Sequence, residues 1–366
     1  MIFNHTGRLY KQDFVVDNLK LDVVNTFCYL GFDVKASGVV SAAIETLYQK
    51  TNKAMRPIKG AVARFNIPIK TSMKLFHSYI EPILLYTTEN WMALSDKSIT
   101  KFTNKTIFDD IGTKKIDILH RQFLKYIIGT SKSCPNLAVY GDTGELPLSL
   151  KAYRQMLRFW YRVKNLSNER LVKIALLESI ELRTNWIVTI EKLVSCLGLT
   201  EVIDSPKKFN IRLEKNIKNM FIDYWKDNLR NPGPRLEFYS KIKQDLSFEP
   251  YLDLLNFEPR KEIAKIRCSD HALEIEKARH NKDTNRDETL RLCRVCRDHK
   301  IENEEHFLME CTHYENIRTK YNIANYEDCV TLMREMKPEI LGKYLLEAWA
   351  ERKMVIDPPL DSQEQL

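Results

Sequence analysis

The sequence has no apolar run approaching the ~20 residues needed to span a bilayer, so no membrane-spanning helix is expected. Its first residues, Met1-Ile-Phe-Asn-His-Thr6, show no charged segment followed by an apolar one, so no secretory signal is expected. Glycine is scarce, 11 in 366 residues, which disfavours long loops and an all-β architecture. Disulfide-like cysteine density is also lacking. Of eight cysteines, Cys28, Cys134, Cys196, Cys268 and Cys329 are scattered. A reducing compartment, cytoplasm or nucleus, is therefore expected, and the sequons at Asn4 and Asn104 carry no meaning there. No glycine-rich phosphate loop is present. Ser269, Asp270 and His271 are adjacent in sequence, but a triad is recognised by geometry and not by adjacency.

What is present reads as a soluble globular chain: 44% hydrophobic and 29% charged residues, with length enough for two or three domains. The net charge of +8 permits a polyanionic partner without establishing one. Its distribution says more. Residues 151–175 hold Lys151, Arg154, Arg158, Arg162, Lys164, Arg170 and Lys173 against the single acid Glu169.

The most informative segment is Cys293-Arg-Val-Cys296, then nine residues, His306, four residues and Cys311. Two cysteines, one histidine and one further cysteine make the ligand set of a closed tetrahedral zinc site. The C-x2-C turn lets two thiolates face one ion. His306 and Cys311 are five apart, so one helix start is expected to present both. The residues between Cys296 and His306 are polar, leaving Phe307 and Leu308 to cap a small core. His271, His280, His299 and His313 stand nearby as substitute ligands, ranked below His306 for spacing. The alternative is two coincidental cysteines beside a core histidine and cysteine.

Along the chain, residues 1–35 read as strands, with Asn25 to Leu30 expected as a buried strand pair in preference to a positioning hairpin. Helical spacing runs from 39 to 63. It returns over 70–95, with a kink expected at Pro82 and with Tyr86 and Trp91 in the core. A helix over 116–128 ends at Gly129. Pro135, Gly141 and Gly144 predict a structured loop over 131–147. A basic, aromatic helix follows over 148–166, then helices to 230. Asn231-Pro-Gly-Pro234 is the strongest boundary signal, and a last helix is expected near 338–353.

On the basic helix, Lys151, Arg154, Arg158 and Arg162 recur at three or four residues and share a face. Such a row can track phosphates, and Phe159, Trp160 or Tyr161 can stack on a base. The competing reading is an ordinary amphipathic helix whose aromatics face the core.

Several stretches resemble the C-terminal part of a non-LTR, LINE-like retrotransposon reverse transcriptase. Phe27-Cys-Tyr-Leu-Gly31 with Gly38 looks like that family's primer grip. Tyr79-Ile-Glu-Pro82 through Tyr86, Glu89 and Trp91 resembles the helix after it. Phe123 to Gly129, Pro135, Asn136, Tyr140, Gly144 and Leu148 look like its thumb. Arg267 to His271, Glu274, Glu276 and Arg279 resemble the lead-in to the terminal zinc module. Glu304 to Leu308, Cys311, Tyr314 and Arg318 fit the module itself. The zinc spacing departs from the short retroviral knuckle, because nine residues without glycine separate Cys296 from His306.

The resemblance implies a mostly α fold: a short β palm and primer-grip remnant over 1–35, a thumb-like helical bundle over 36–166, and a helical connection over 167–235. A helical and zinc-binding module over 236–354 and a tail over 355–366 complete it. It implies RNA or DNA as partner, no membrane, and one structural Zn2+ held by Cys293, Cys296, His306 and Cys311. It also implies the absence of the catalytic carboxylates. That family places its aromatic-x-Asp-Asp motif before the Tyr-Leu-Gly region, and only 28 residues precede Tyr29 here. Ile107-Phe-Asp-Asp110 mimics the tetrapeptide on the wrong side of Gly31, and is expected to be a solvated turn. Three readings follow: a nucleic-acid binder without polymerase activity, a piece of an active polymerase completed by upstream sequence, and a protein-interaction scaffold.

Overall fold

The computed structural model describes residues 12–38, 40–93, 114–280, 288–296 and 298–357. It is mostly helical, with two short antiparallel hairpins near its N-terminus, as composition and periodicity predict. Ile107-Phe-Asp-Asp110 and the His280 side chain lie outside the described residues.

The hairpins pair β1 (Phe14–Val16) with β2 (Leu19–Leu21), and β3 (Thr26–Tyr29) with β4 (Phe32–Lys35). Each turns through two residues with positive φ, Asp17-Asn18 and Leu30-Gly31, the backbone that matches strand twist in a two-residue turn. Leu30 adopts this conformation against its Cβ. Its carbonyl accepts the Tyr86 hydroxyl, and Lys50 Nζ donates to Gly31 O at 3.3 Å. The expected burial of this strand pair fails. Phe27, Tyr29 and Leu30 are all exposed, because among the described residues no layer covers the two-stranded sheet.

The helices, in order, are α1 (Ser41–Phe65), α2 (Ile69–Leu75), α3 (Glu81–Leu84), α4 (Thr88–Trp91), α5 (Lys115–Ile128) and α6 (Asn136–Thr143). Then come α7 (Leu148–Lys164), α8 (Leu171–Glu181), α9 (Asn185–Cys196), α10 (Pro206–Arg230), α11 (Glu237–Ile242) and α12 (Tyr251–Leu254). The last are α13 (Phe257–Arg267), α14 (Glu274–His280), α15 (Glu315–Lys320), α16 (Cys329–Glu335) and α17 (Pro338–Ile356). Pro82 disturbs the helix expected over 70–95 as anticipated. Lacking an N–H, it follows a π-turn, Phe76–Ile80, that relieves the hydrogen-bond ladder before α3.

Contacts divide the chain into two units. One comprises Met1–Gly60, Lys74–His120 and Leu146–Phe221; the other comprises Ala61–Met73, Arg121–Glu145 and Ile222–Leu366. Asn231-Pro-Gly-Pro234 falls inside the second, between α10 and α11.

In the first unit, α7 is central. It buries Tyr153, Met156, Leu157, Trp160 and Tyr161, and Tyr161 stacks on Phe209 with ring centroids 4.0 Å apart. Buried Asp117 accepts from Ser149 N at 2.9 Å, placing a carboxylate at the positive end of α7. Trp91 is buried beside α7, whereas Tyr86, expected in the core, is 38% exposed with its hydroxyl on Leu30.

In the second unit, the loop expected over 131–147 contains a helix, α6. Pro135 immediately precedes its first residue and Gly144 ends it at φ +67, positions that suit both residue types. Gly141 lies within this helix, and the position requires glycine because a Cβ there would lie 2.2 Å from the Tyr239 hydroxyl. The close approach delivers Tyr239 to Asp142, which is fully buried. Asp142 Oδ1 accepts from Tyr239 Oη at 2.9 Å and Arg267 at 3.0 Å; Oδ2 accepts from Tyr251 Oη at 2.8 Å and Arg267 Nε at 2.9 Å. Burial alone pushes the Asp142 carboxyl up, but the Arg267 guanidinium outweighs it and holds the group below the ordinary carboxylate range.

Arg267→Met strands that carboxylate and is expected to destabilise the second unit by about 3–5 kcal/mol. Denaturant unfolding checks the figure. The double variant Asp142→Asn with Arg267→Met is expected to lose less than the single one. Because Asp142 is held low, its contribution is complete at neutral pH and is lost as pH falls through and below the ordinary carboxylate range.

Candidate metal centre and nucleic-acid interface

The ligand atoms of Cys293, Cys296, His306 and Cys311 all lie within 4.8 Å of one another, and the four can hold a metal ion. Cys293 Sγ is 4.0 Å from Cys311 Sγ, and Cys296 Sγ is 3.4 Å from His306 Nε2. Bonds of ~2.3 Å to sulfur and ~2.0 Å to nitrogen around a tetrahedral ion require separations of this order.

Local structure explains the convergence. Cys293 N donates to Lys300 O and Glu302 N to Arg291 O, both at 2.8 Å, with a bridge between Leu292 and Ile301. This narrow hairpin carries Cys293 and Cys296. The other two ligands lie on a π-turn, His306–Glu310, closed by Cys311 N donating to His306 O at 2.8 Å. Residues five apart on an α-helix differ in direction by about 140°. The wider π-turn instead brings i and i+5 to one side. The expected helix start therefore presents both ligands only because it is π-helical.

Without an ion the four groups compete for protons. A hydrogen bond from the Cys311 thiol, then one from His306, holds the Cys293 thiol down to about 3 against burial. The same bond to Cys293, reinforced by burial, pushes Cys311 far up. Burial lowers His306, but its bond to Cys293 wins and raises it. A divalent cation bound by the four groups would replace these shared protons. His306 Nδ1 faces Glu310 Oε2 at 3.6 Å, an ion-pair distance, and Lys300 Nζ anchors Glu310 at 3.2 Å.

The centre is bound to the C-terminal helix. Cys293 Sγ lies 3.9 Å from Glu302 Oε1, and buried Arg352 of α17 donates to both Glu302 oxygens at 2.8 and 2.7 Å. Arg352 also reaches Glu274 at 3.2 Å. Phe307, far from capping a separate small core, packs on Trp349 and Tyr314, and Tyr344 donates to Leu308 O at 2.6 Å. The substitute ligands are engaged elsewhere or exposed. His271 contacts Glu304 at 3.1 Å, His313 contacts Glu351 at 3.0 Å, and His299 is exposed.

Lys151, Arg154, Arg158 and Arg162 line one groove of about 470 Å³ in the first unit, with Leu85, Glu89, Gln155 and Phe159. Most of its charge is answered internally. Lys151 Nζ donates to Glu81 at 2.7 Å, while Arg154 and Arg158 share Glu214 at 3.0 and 2.7 Å. Burial pushes Glu81 up, but hydrogen bonds from His77 and Lys151 outweigh it and bring it to about 2. Arg162 lies 5.4 Å from the Phe159 ring centre, with no carboxylate partner among the described residues. Trp160 and Tyr161 are core, leaving Phe159 as the groove's aromatic. Sequence reasoning missed a second basic groove of about 660 Å³, lined by Lys208, Arg212, Lys215 and Asn216 of α10 with Thr200. The spacing of Lys208, Arg212 and Lys215 along one helix was the signal. Glu214, Glu302 and Arg352 were also missed, and no local pattern marks them.

No helix is long and apolar enough to cross a membrane among the described residues. No protein-family model matches the chain, and neither a curated protein nor a solved structure matches it.

Chelation or Cys293→Ser is expected to release the ion and to raise amide hydrogen exchange across 288–318 but not across α7. Arg352→Met leaves the four ligands in place and removes the cation behind Glu302. Its metal affinity is expected to fall about 10–100-fold, read by transfer to a chromogenic chelator.

Proposed function

We propose that the chain is a retroelement-derived nucleic-acid-binding polypeptide with no polymerase activity of its own, and that one structural zinc ion holds its C-terminal module. The observation that carries the binding reading is the single groove lined by Lys151, Arg154, Arg158, Arg162 and the Phe159 ring. Guanidinium groups fit phosphate oxygens, and a ring at the same groove offers a base a stacking surface. RNA or an RNA–DNA hybrid is the proposed ligand, in keeping with the reverse-transcriptase resemblance. Zinc is supported by the donor set of three sulfurs and one imidazole, which disfavours magnesium and calcium. Four protein ligands leave no open position, so the role is structural. An intracellular site, cytoplasm or nucleus, agrees with eight unpaired cysteines.

The full chain, titrated with structured RNA, duplex DNA and an RNA–DNA hybrid over a range of salt, tests the reading. Replacing Arg154, Arg158 and Arg162 with Gln is expected to weaken binding and flatten the salt slope by about 0.7–0.9 per lost phosphate contact. Glu214→Gln frees two guanidinium groups and is expected to tighten it. An unchanged slope in the folded triple variant leaves the helix as ordinary surface.

Primer extension on a homopolymer template with magnesium or manganese is expected to give no product. Activity that follows the purified chain and disappears in Asp109→Asn or Asp110→Asn would reverse this. Extension gained only on adding upstream sequence supports the reading as a piece of a polymerase.

A second reading, a protein-interaction scaffold, rests on α8. Its Leu171, Val172, Ile174, Leu177 and Ile180 are exposed along an 11-residue helix, an apolar face that suits a protein partner. Nucleic-acid binding unaffected by the arginine substitutions, together with loss of a protein complex on Ile174→Asp, favours it.

A further inference from the structure

We propose that His271, Glu276 and Glu304 form a second metal site, separate from the cysteine cluster, for a divalent ion that takes oxygen and nitrogen ligands. One ligand atom from each residue lies within 4.8 Å of the other two. They come from three segments of the second unit: the turn after α13, the helix α14, and the start of the turn leading to His306. All three are buried, at 6%, 2% and 8% exposure.

The contacts within the cluster leave coordinating capacity unused. His271 Nε2 lies 3.1 Å from Glu304 Oε1, which also accepts from Ser269 Oγ at 3.3 Å. The other ring nitrogen, Nδ1, is buried with no hydrogen-bond partner. Glu276 Oε1 accepts from Arg279. Glu276 Oε2 is buried with no hydrogen-bond partner, and Arg235 Nε forms an ion pair with it at 3.8 Å. Arg235 instead donates through its NH1 to Ser133 O at 2.7 Å. His271 and Glu276 thus each keep one buried atom without a hydrogen bond, in a cluster whose ligand atoms converge within 4.8 Å.

A water molecule satisfies hydrogen bonds but brings no charge. A divalent cation would take up both atoms at once, in a cluster where Arg279 and Arg235 pair with Glu276 and His271 pairs with Glu304. The donor set of two carboxylates and one imidazole, with room in the coordination sphere for water, suits manganese, cobalt or zinc; calcium wants more oxygens. It contains no thiolate, and manganese discriminates against thiolate sites, so the two centres can be read separately.

The test uses the full chain with its cysteine site filled by zinc. Manganese is titrated in and the free-ion EPR signal is followed, with total zinc measured by elemental analysis after dialysis against zinc. One bound manganese per chain, and two zinc ions when zinc is the only metal, are expected. Glu276→Gln is expected to weaken manganese binding at least tenfold and to reduce zinc from two to one, and His271→Ala to do the same. Wild-type chain that binds one zinc and no manganese overturns the proposal, and so does manganese binding that both cluster variants retain. If either variant fails to fold, the wild-type stoichiometry decides alone. Loss of nucleic-acid binding bears on the reading above and leaves this stoichiometry untouched; loss of the cysteine-bound zinc lowers the zinc count by one and leaves the manganese count unchanged.

Discussion

A carboxylate taken out of water must find a cation, and this requirement organises the second unit. Asp142 is met by Arg267, and Glu302 by Arg352, in each case through two hydrogen bonds to a guanidinium with little or no access to solvent. Removing one partner of such a pair costs several kcal/mol, because the other stays buried and charged. Geometry is therefore fixed wherever they occur. Asp142 pins α6 to α11, α12 and α13 through Tyr239, Tyr251 and Arg267. Glu302 pins the cysteine hairpin to α14 and α17, its oxygens meeting the Glu274 N–H and Arg352. Neither pair is a large gain over apolar packing. What they supply is register, since a shifted arrangement would separate the buried charges from their partners.

The candidate metal centre belongs to the same scheme. A divalent ion with three thiolates carries one net negative charge, and it would sit against Glu302, another anion. Arg352 makes that neighbourhood tolerable by placing a guanidinium behind the carboxylate. The terminal helix is thus an electrostatic part of the module as well as an apolar wall against Phe307 and Leu308. This explains why a segment so polar, from Asp298 to Asn303, is held in place: the hairpin, the π-turn and α17 each fix one side of it.

Several features were readable in the sequence because they are local. The C-x2-C pair, His306 and Cys311 carry their chemistry in their spacing, and the helices expected over 116–128, 148–166 and 338–353 carry theirs in periodicity, matching α5, α7 and α17 to within three residues. What was unreadable depends on distant residues. Gly141 signals a loop until Tyr239, far along the chain, is seen to need the space. Arg352 stands 50 residues from Glu302, and no pattern joins them. The π-turn escaped because the sequence gives α and π the same periodic cues over five residues, and the ladder is decided by tertiary packing. The hairpins at 14–35 were legible as strands and illegible in burial, since alternation shows which faces are apolar but not whether anything covers them.

The basic groove shows why a row of cations is a weaker statement than it looks. Read from sequence, Lys151, Arg154, Arg158 and Arg162 are four charges on one face. In the fold, Glu81 and Glu214 answer three of them. These pairs differ in consequence. Lys151 and Glu81 are mostly buried, and separating them would leave Glu81, held near 2, charged and poorly solvated. Arg154 and Arg158 are about 32% and 48% exposed and Glu214 about 41%, so that ion pair is worth little in water. A phosphate, with more acceptor oxygens and greater charge than one carboxylate, can compete for those two arginines at small cost. Arg162, resting beside Phe159, meets it without giving up an ion pair. The groove's usable charge therefore lies at the Arg154–Arg162 end, while Lys151 serves the scaffold.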